Sequence, residues 1–334
     1  MKRPLKLDLT MARYIMAQKA KGRKYFPFVT MLEPLEACNL HCIGCGRVEE
    51  YKSVLGRRLT VEQSLEAVHA SGAPIVSIAG GEPLLHPQIG EIVKAIIAEK
   101  RFIYLCTNGL LLQEKLDLFK PTPYFSFVVH LDGTEKIHDY VTQRKGTYAT
   151  AIAGLKEAIK RGFRVNTNTT LFHGSDVEDL HKLFALLTEL GVEGLMVSPG
   201  YAYKDVSDRD LFLERQESIE VFRKVLDPTK GFPFYNNPLY LDFLRGERDY
   251  PCAAWTTPTY TVLGWRKPCY ILADEHVEDV NELFDPKLWE RYGPGKDRRC
   301  TNCMMHSGFE GASILEALSK PRDLLTLARG ERGG

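Results

Sequence analysis

Three cysteines stand within eight residues in Cys38-Asn-Leu-His-Cys42-Ile-Gly-Cys45. Three thiolates on one short loop can hold three irons of a 4Fe–4S cube, leaving the fourth iron open to a small molecule, as catalytic metal sites keep a position free. The same spacing also suits zinc, or an electron-carrying cluster whose fourth thiolate comes from elsewhere. Downstream, Gly80-Gly81-Glu82-Pro83 sets an acid behind two residues without a Cβ, where backbone can approach a ligand closely or simply turn. Cys106 stands alone at the end of an apolar run. A second group, Cys252, Cys269, Cys300 and Cys303, follows C-x11-G-x4-C through Gly264 and closes in C-x2-C. Four thiolates saturate one auxiliary 4Fe–4S cluster and suit structure or electron relay; zinc is the alternative, with His306 as a further candidate ligand.

These residues need a scaffold, and the surrounding pattern supplies one. Short β-rich runs at Phe26–Leu32, Pro74–Ala79, Phe102–Thr107, Tyr124–Leu131, Arg164–Phe172 and Gly194–Ser198 alternate with helical periodicity near 61–71, 87–99, 112–118, 148–161, 177–190 and 207–226. Strands alternating with helices imply βαβ crossovers and a parallel sheet. Six such units are fewer than the eight of a closed barrel, so the reading is an α/β fold, a partial (β/α)6 barrel over 26–226 with an open side. Residues 1–25 precede it as a basic helix, and 227–334 follow as a small cysteine-bearing C-terminal module. Cys106, His130 and Asp132, and Ser198 and Gly200 fall at strand ends, and Asn166, Asn168 and Thr170 share one face at period two.

The 334 residues carry 44 Lys and Arg against 43 Asp and Glu, which argues against a nucleic-acid binder. No apolar run is long enough to span a membrane, and the opening MKRPLKLDLT lacks the apolar stretch of a secretory signal. A cytoplasmic protein is expected, and in a reducing compartment clustered cysteines suggest metal ligands rather than disulfides. Residues 1–24 hold eight Lys and Arg and one acid, Asp8. Thr10–Ala20 reads as a helix with Met11 and Ile15 on one side, which either closes the bottom of the barrel or touches an anionic membrane surface.

With C-x3-C-x2-C followed by GGEP, the chain resembles the radical S-adenosylmethionine (SAM) superfamily. The resemblance implies that Cys38, Cys42 and Cys45 hold a 4Fe–4S cluster whose open iron chelates SAM, and that Gly80, Gly81, Glu82 and Pro83 contact its methionine amino group. Asn108, His130, Asp132, Asn166, Asn168, Ser198 and Gly200 are the matching candidates for the ribose and adenine. One departure is Gly44, where the family usually has an aromatic residue against the adenine, so that side of the site should be roomier. The C-terminal cysteines resemble the auxiliary-cluster region of SPASM and twitch enzymes.

Across residues 10–315, segments such as FVTMLEPLEACNLHCIGCG (28–46), PIVSIAGGEPLLH (74–86), YLCTNG (104–109), GWRKPC (264–269) and CTNCMMHSGFE (300–310) resemble the adenosylhopane synthase family of hopanoid biosynthesis. That resemblance implies a lipid-metabolic transferase that adds a 5′-deoxyadenosyl radical to the terminal alkene of diploptene, a polycyclic triterpene. It also implies an electron donor such as flavodoxin or ferredoxin. Addition leaves a tertiary carbon radical, and Cys106, facing the chamber if its strand is regular, is the candidate hydrogen-atom donor. Two other readings are a SPASM/twitch-type radical SAM enzyme modifying a peptide or other small molecule and a two-cluster electron carrier. Aromatic residues Phe232, Phe234, Tyr235, Tyr240, Trp255 and Trp265 either line an apolar chamber or form the module's core.

Overall fold

The six expected β runs become the parallel strands β1 (Val29–Leu32), β2 (Ile75–Ile78), β3 (Phe102–Thr107), β4 (Phe125–His130), β5 (Arg164–Leu171) and β6 (Gly194–Pro199), paired in chain order. The computed structural model describes residues 4–202, 206 and 208–329. Ahead of the sheet lies α1 (Leu5–Ala20), and the crossovers carry α2 (Val61–Ser71), α3 (Ile89–Ala98), α4 (Thr147–Lys160) and α5 (Val177–Glu189). Each helix starts or packs for a local reason. Thr60 and Gln63 form a reciprocal capping box at α2. In α3, Ile89, Ile92, Val93 and Ile96 fall at i, i+3, i+4 and i+7 and are buried against the sheet. The helix expected from 207 begins only at Arg215, as α6 (Arg215–Val225); Ser207 lies outside the described residues.

Beyond residue 227 the chain does not leave the sheet. Phe234 bridges to Leu195 of β6, with Leu195 N–H donating to Pro233 O at 2.9 Å and Tyr235 N–H to Leu195 O at 2.8 Å. After α7 (Pro238–Leu244) the chain crosses to the other edge, where β7 (Thr259–Thr261) pairs in parallel with β1. β8 (Gly264–Lys267) and β9 (Glu275–Val277) then add as an antiparallel ribbon, giving a nine-stranded sheet ordered β6-β5-β4-β3-β2-β1-β7-β8-β9. The C-terminal third therefore pairs the free edge of β1 through β7 and bridges β6 at Leu195. The last helices are α8 (His306–Ala317) and α9 (Pro321–Arg329).

Phe234, Tyr235, Tyr240 and Trp265 are buried, so these aromatic residues belong to the core. Helix α1 packs Ile15, Met11 and Tyr14 on Phe26 and Phe28 and on Ile314, Leu315 and Leu318 at the end of α8. Among the described residues no helix is long and apolar enough to cross a membrane.

Candidate functional site

Every cysteine of the first motif follows β1, at the end of the sheet where the strands point their C-termini. The glycine pair of the GGEP turn lies flat on the segment that leads to Cys38. A Cβ on Gly80 would stand 2.3 Å from Leu35 O, and one on Gly81 2.2 Å from Ala37 O. Gly81 N–H donates to Leu35 O at 3.1 Å, and Glu82 N–H to Ala37 O at 2.9 Å. The close approach these glycines permit is thus to the cysteine loop, a different reason from the ligand contact expected of them. Glu82 is buried, and its carboxylate accepts from Leu84 N–H (3.0 Å), Thr107 Oγ1 (2.9 Å) and Asn108 N–H (2.8 Å). Burial still pushes its carboxyl up to about 7. Pro83, buried, opens the short turn that follows. Asn108 reaches back to the loop, with Nδ2 2.8 Å from Asn39 Oδ1 and 3.9 Å from Cys38 Sγ. β1, β2 and β3 are therefore locked at their ends around Cys38.

His130 Nε2 lies 2.7 Å from Asp132 Oδ2, and Asn168 Nδ2 lies 3.2 Å from His130 Nδ1. Asp132 Oδ1 accepts from Thr170 N–H at 2.8 Å. Burial opposes both charges, but the pair's attraction wins: His130 is held above its ordinary value and Asp132 below. Asn166 lies on the same strand as Asn168. It is fully buried one step deeper, where Nδ2 donates to Ser126 Oγ (2.8 Å) and Glu193 Oε2 (3.3 Å), so it ties strands together beneath the rim. Sharing a face with Asn168 did not fix its depth. Ser198 is buried at the end of β6.

The space expected beside Gly44 is filled. Gly44 adopts φ +75, and a Cβ there would meet Leu211 Cδ2 and Phe172 Cε1, each at 2.9 Å. The same Phe172 ring sits 2.6 Å from the Cβ position of Gly200 and packs edge-on against Phe212. Phe172 therefore supplies aromatic bulk at this corner, and the glycines at 44 and 200 are what admit it. Nothing in the local sequence marks Phe172 for that place.

Along β3, Ile103 and Leu105 are buried toward the helices, whereas Tyr104 and Cys106 point to the other face and are half-buried. Cys106 Sγ is 3.7 Å from Ser77 Oγ, and burial pushes its thiol up to about 11. Below it, Tyr104 OH is 2.7 Å from Tyr235 OH, which Arg164 Nη2 approaches at 3.3 Å while pairing with Glu193 at 2.7 Å. This polar cluster fills the far end of the barrel and leaves Cys106 as the first reactive group above it.

The second cysteine group converges. Cys252, Cys269, Cys300 and Cys303 line one cavity of about 30 Å³, together with Tyr201, Ile271 and the first turn of α8. His306 is not part of that wall. None of the eight cysteines forms a disulfide. Burial, then the charges of Cys303, Cys269 and Cys300, holds Cys252 far above its ordinary value, and Cys300 and Cys303 are raised to about 11 and about 12. Four cysteines around one apolar pocket, whose thiolates repel one another until a cation joins them, are a donor set of the kind that soft metals take. In the first loop burial pushes Cys38 up to about 11, and Glu82 and Cys45 raise it further. Burial followed by the charge of Cys45 raises Cys42 as well.

Between the two groups lies a buried ion network that the sequence did not signal. Arg47, two residues past Cys45, pairs with Glu33, with Glu36 at 3.0 Å and with Glu50 at 3.5 Å. Arg266 of β8, three residues before Cys269, pairs with Glu50 at 2.9 Å and donates to Tyr51 OH at 2.6 Å. Both guanidinium groups face the Tyr270 ring, each at 5.6 Å.

Residues 32–187 match the Radical SAM superfamily, and residues 195–327 match a domain of unknown function, DUF3463. An AdoMet-dependent heme synthase of Methanosarcina barkeri is 30% identical over 170 residues, 49% of this chain and 48% of that protein. The subtilosin biosynthesis protein AlbA of Bacillus subtilis is 22% identical over 342 residues, covering 95% of this chain and 74% of its own. The chain spans about half the length of the curated relatives it matches first. Streptococcus suis SuiB superposes with a TM-score of 0.67 at 16% identity, over 92% of this chain and 78% of SuiB, which shows a shared fold. Radical SAM proteins use a 4Fe–4S cluster and SAM, and it is this superfamily that residues 32–187 of the chain resemble.

Proposed function

We propose that this chain is a radical SAM transferase that joins the 5′-deoxyadenosyl group to the terminal alkene of a polycyclic hydrocarbon, diploptene by resemblance, to give adenosylhopane. The observation that carries this reading is the protonated Cys106 thiol on the inner face of β3, two residues before Asn108, which touches the cysteine loop. A protonated thiol facing the chamber is a hydrogen-atom donor, because its S–H bond is weak. An enzyme that adds a radical to an alkene must deliver a hydrogen atom afterwards.

Bound at Cys38, Cys42 and Cys45, the cluster would supply the electron that splits SAM into methionine and the 5′-deoxyadenosyl radical. Addition to the CH2 carbon forms the C–C bond and leaves the unpaired electron on the tertiary carbon. Cys106 then gives its S–H hydrogen atom to that carbon and becomes a thiyl radical. An electron and a proton from a flavodoxin- or ferredoxin-type donor restore the thiol. The S–H bond is weaker than a tertiary C–H bond, so the transfer runs downhill.

The test is anaerobic reconstitution with iron and sulfide, then SAM, a reductant and diploptene, with products read by mass spectrometry. An adenosine–triterpene adduct supports the reading, and Cys106→Ala should keep SAM cleavage while losing the saturated adduct. Unchanged adduct yield in that variant removes Cys106 from the mechanism. A second reading, a peptide-modifying enzyme, is favoured by the four-cysteine cavity and by the reach of the likeness to AlbA. If diploptene yields only 5′-deoxyadenosine and methionine, that reading takes precedence.

A further inference from the structure

Helix α1 has two apolar stripes and only one is used. Leu7, Met11, Tyr14, Ile15 and Gln18 face inward. On the opposite side Leu5, Leu9, Ala12 and Met16, at i, i+4, i+7 and i+11, form a line exposed to solvent, with Leu5 71%, Leu9 49% and Met16 63% accessible. Exposed large apolar residues aligned in this way mark a contact surface more often than isolated ones do. On a helical wheel Lys19 flanks the stripe on one side and Lys6 and Arg13 on the other, and exposed Lys21, Arg23 and Lys24 follow the helix.

The charge distribution selects the partner. Between Lys6 and Lys24 there are six Lys and Arg and one acid, whereas the whole chain balances 44 against 43, so everything beyond this segment carries an excess of acids. An anionic surface therefore attracts the α1 end and repels the rest, which fixes an orientation as well as a contact. A second copy of the same helix would bring like charges together. We propose that the outward face of α1 docks this protein on an anionic lipid bilayer, with Leu5, Leu9 and Met16 entering the headgroup boundary and the cations meeting lipid phosphates. This proposal is independent of the substrate assigned above.

The experiment is co-sedimentation of the full chain with vesicles of phosphatidylcholine, with or without phosphatidylglycerol. Binding should require phosphatidylglycerol and weaken with added salt. The Leu9→Glu/Met16→Glu and Lys21→Glu/Lys24→Glu variants should each lower the bound fraction roughly tenfold, with melting temperatures unchanged because these positions are exposed. If melting shifts, the milder Leu9→Gln replaces the first pair. Three results overturn the proposal: no sedimentation of the unaltered chain with phosphatidylglycerol vesicles, equal binding by the variants, or a dimer that Leu9→Glu/Met16→Glu dissociates without any lipid dependence.

Discussion

At the scale of single residues, folding raises the proton affinity of two buried carboxyls. Burial lifts Glu82 from 4.5 to about 7, and burial with the neighbouring Glu33 lifts Glu36 from 4.5 to about 8. Because both values are raised on folding, their contribution is fully present below 4.5 and disappears as pH climbs through about 7 to 8. The metal-free chain should therefore lose a few kcal/mol of stability between pH 5 and pH 8 in denaturant melts, since each tenfold change in proton affinity on folding is worth about 1.4 kcal/mol. Glu82→Gln should flatten that slope and cost about 1–3 kcal/mol, since an amide NH2 would then face the donors from Leu84, Thr107 and Asn108. Gly44 allows a second prediction. Restoring the family's aromatic residue with Gly44→Phe should destabilise the loop by about 1–3 kcal/mol and lower iron retention, because Phe172 and Leu211 occupy the place and φ is +75. Trimming the obstacle in Gly44→Phe/Phe172→Ala should recover part of the loss.

At the scale of elements, the ion network binds the first cysteine loop to β8. Glu33 and Glu36 precede Cys38, Arg47 follows Cys45, and Arg266 closes the network from the C-terminal side. Arg266→Leu should cost about 1–3 kcal/mol, because it leaves the half-buried Glu50 without one of its two cations. The same variant should speed iron loss to a chelator, a readout that simple loss of β8 packing elsewhere would not move. Elements also show how far the sequence could be read. The barrel strands were legible because β-branched and aromatic runs such as Phe102–Thr107 are bounded by turn residues. α8 was not, since Gly308 and Gly311 interrupt its periodicity. Their reasons are tertiary: a Cβ on Gly311 would lie 2.1 Å from Thr256 Oγ1, and one on Gly308 3.0 Å from Cys252 Sγ. β7 and β9, with three residues each, are too short to show alternation. Of the site, the two cysteine groups and Glu82 stand out in the sequence by their spacing, whereas the depth of Asn166 and the ion network depend on partners far away in the chain.

At the scale of the molecule, the nine-stranded sheet carries both cysteine groups on one frame. With two clusters, anaerobic reconstitution should load about eight irons per chain, and Cys252→Ser should reduce this to about four while the first cluster keeps its absorbance. About four irons with one zinc in the unaltered chain would assign the second group to zinc. The same frame has a consequence for biogenesis. β1 receives its outer neighbour only when residues 259–261 arrive, roughly two hundred residues after it is made. At a synthesis rate of about 5–20 residues per second, that edge stands open for some ten to forty seconds on the ribosome. The strand that leads to the first cysteine loop is thus among the last to be sealed. Nascent chains halted before β7 should be the ones that recruit chaperones or aggregate.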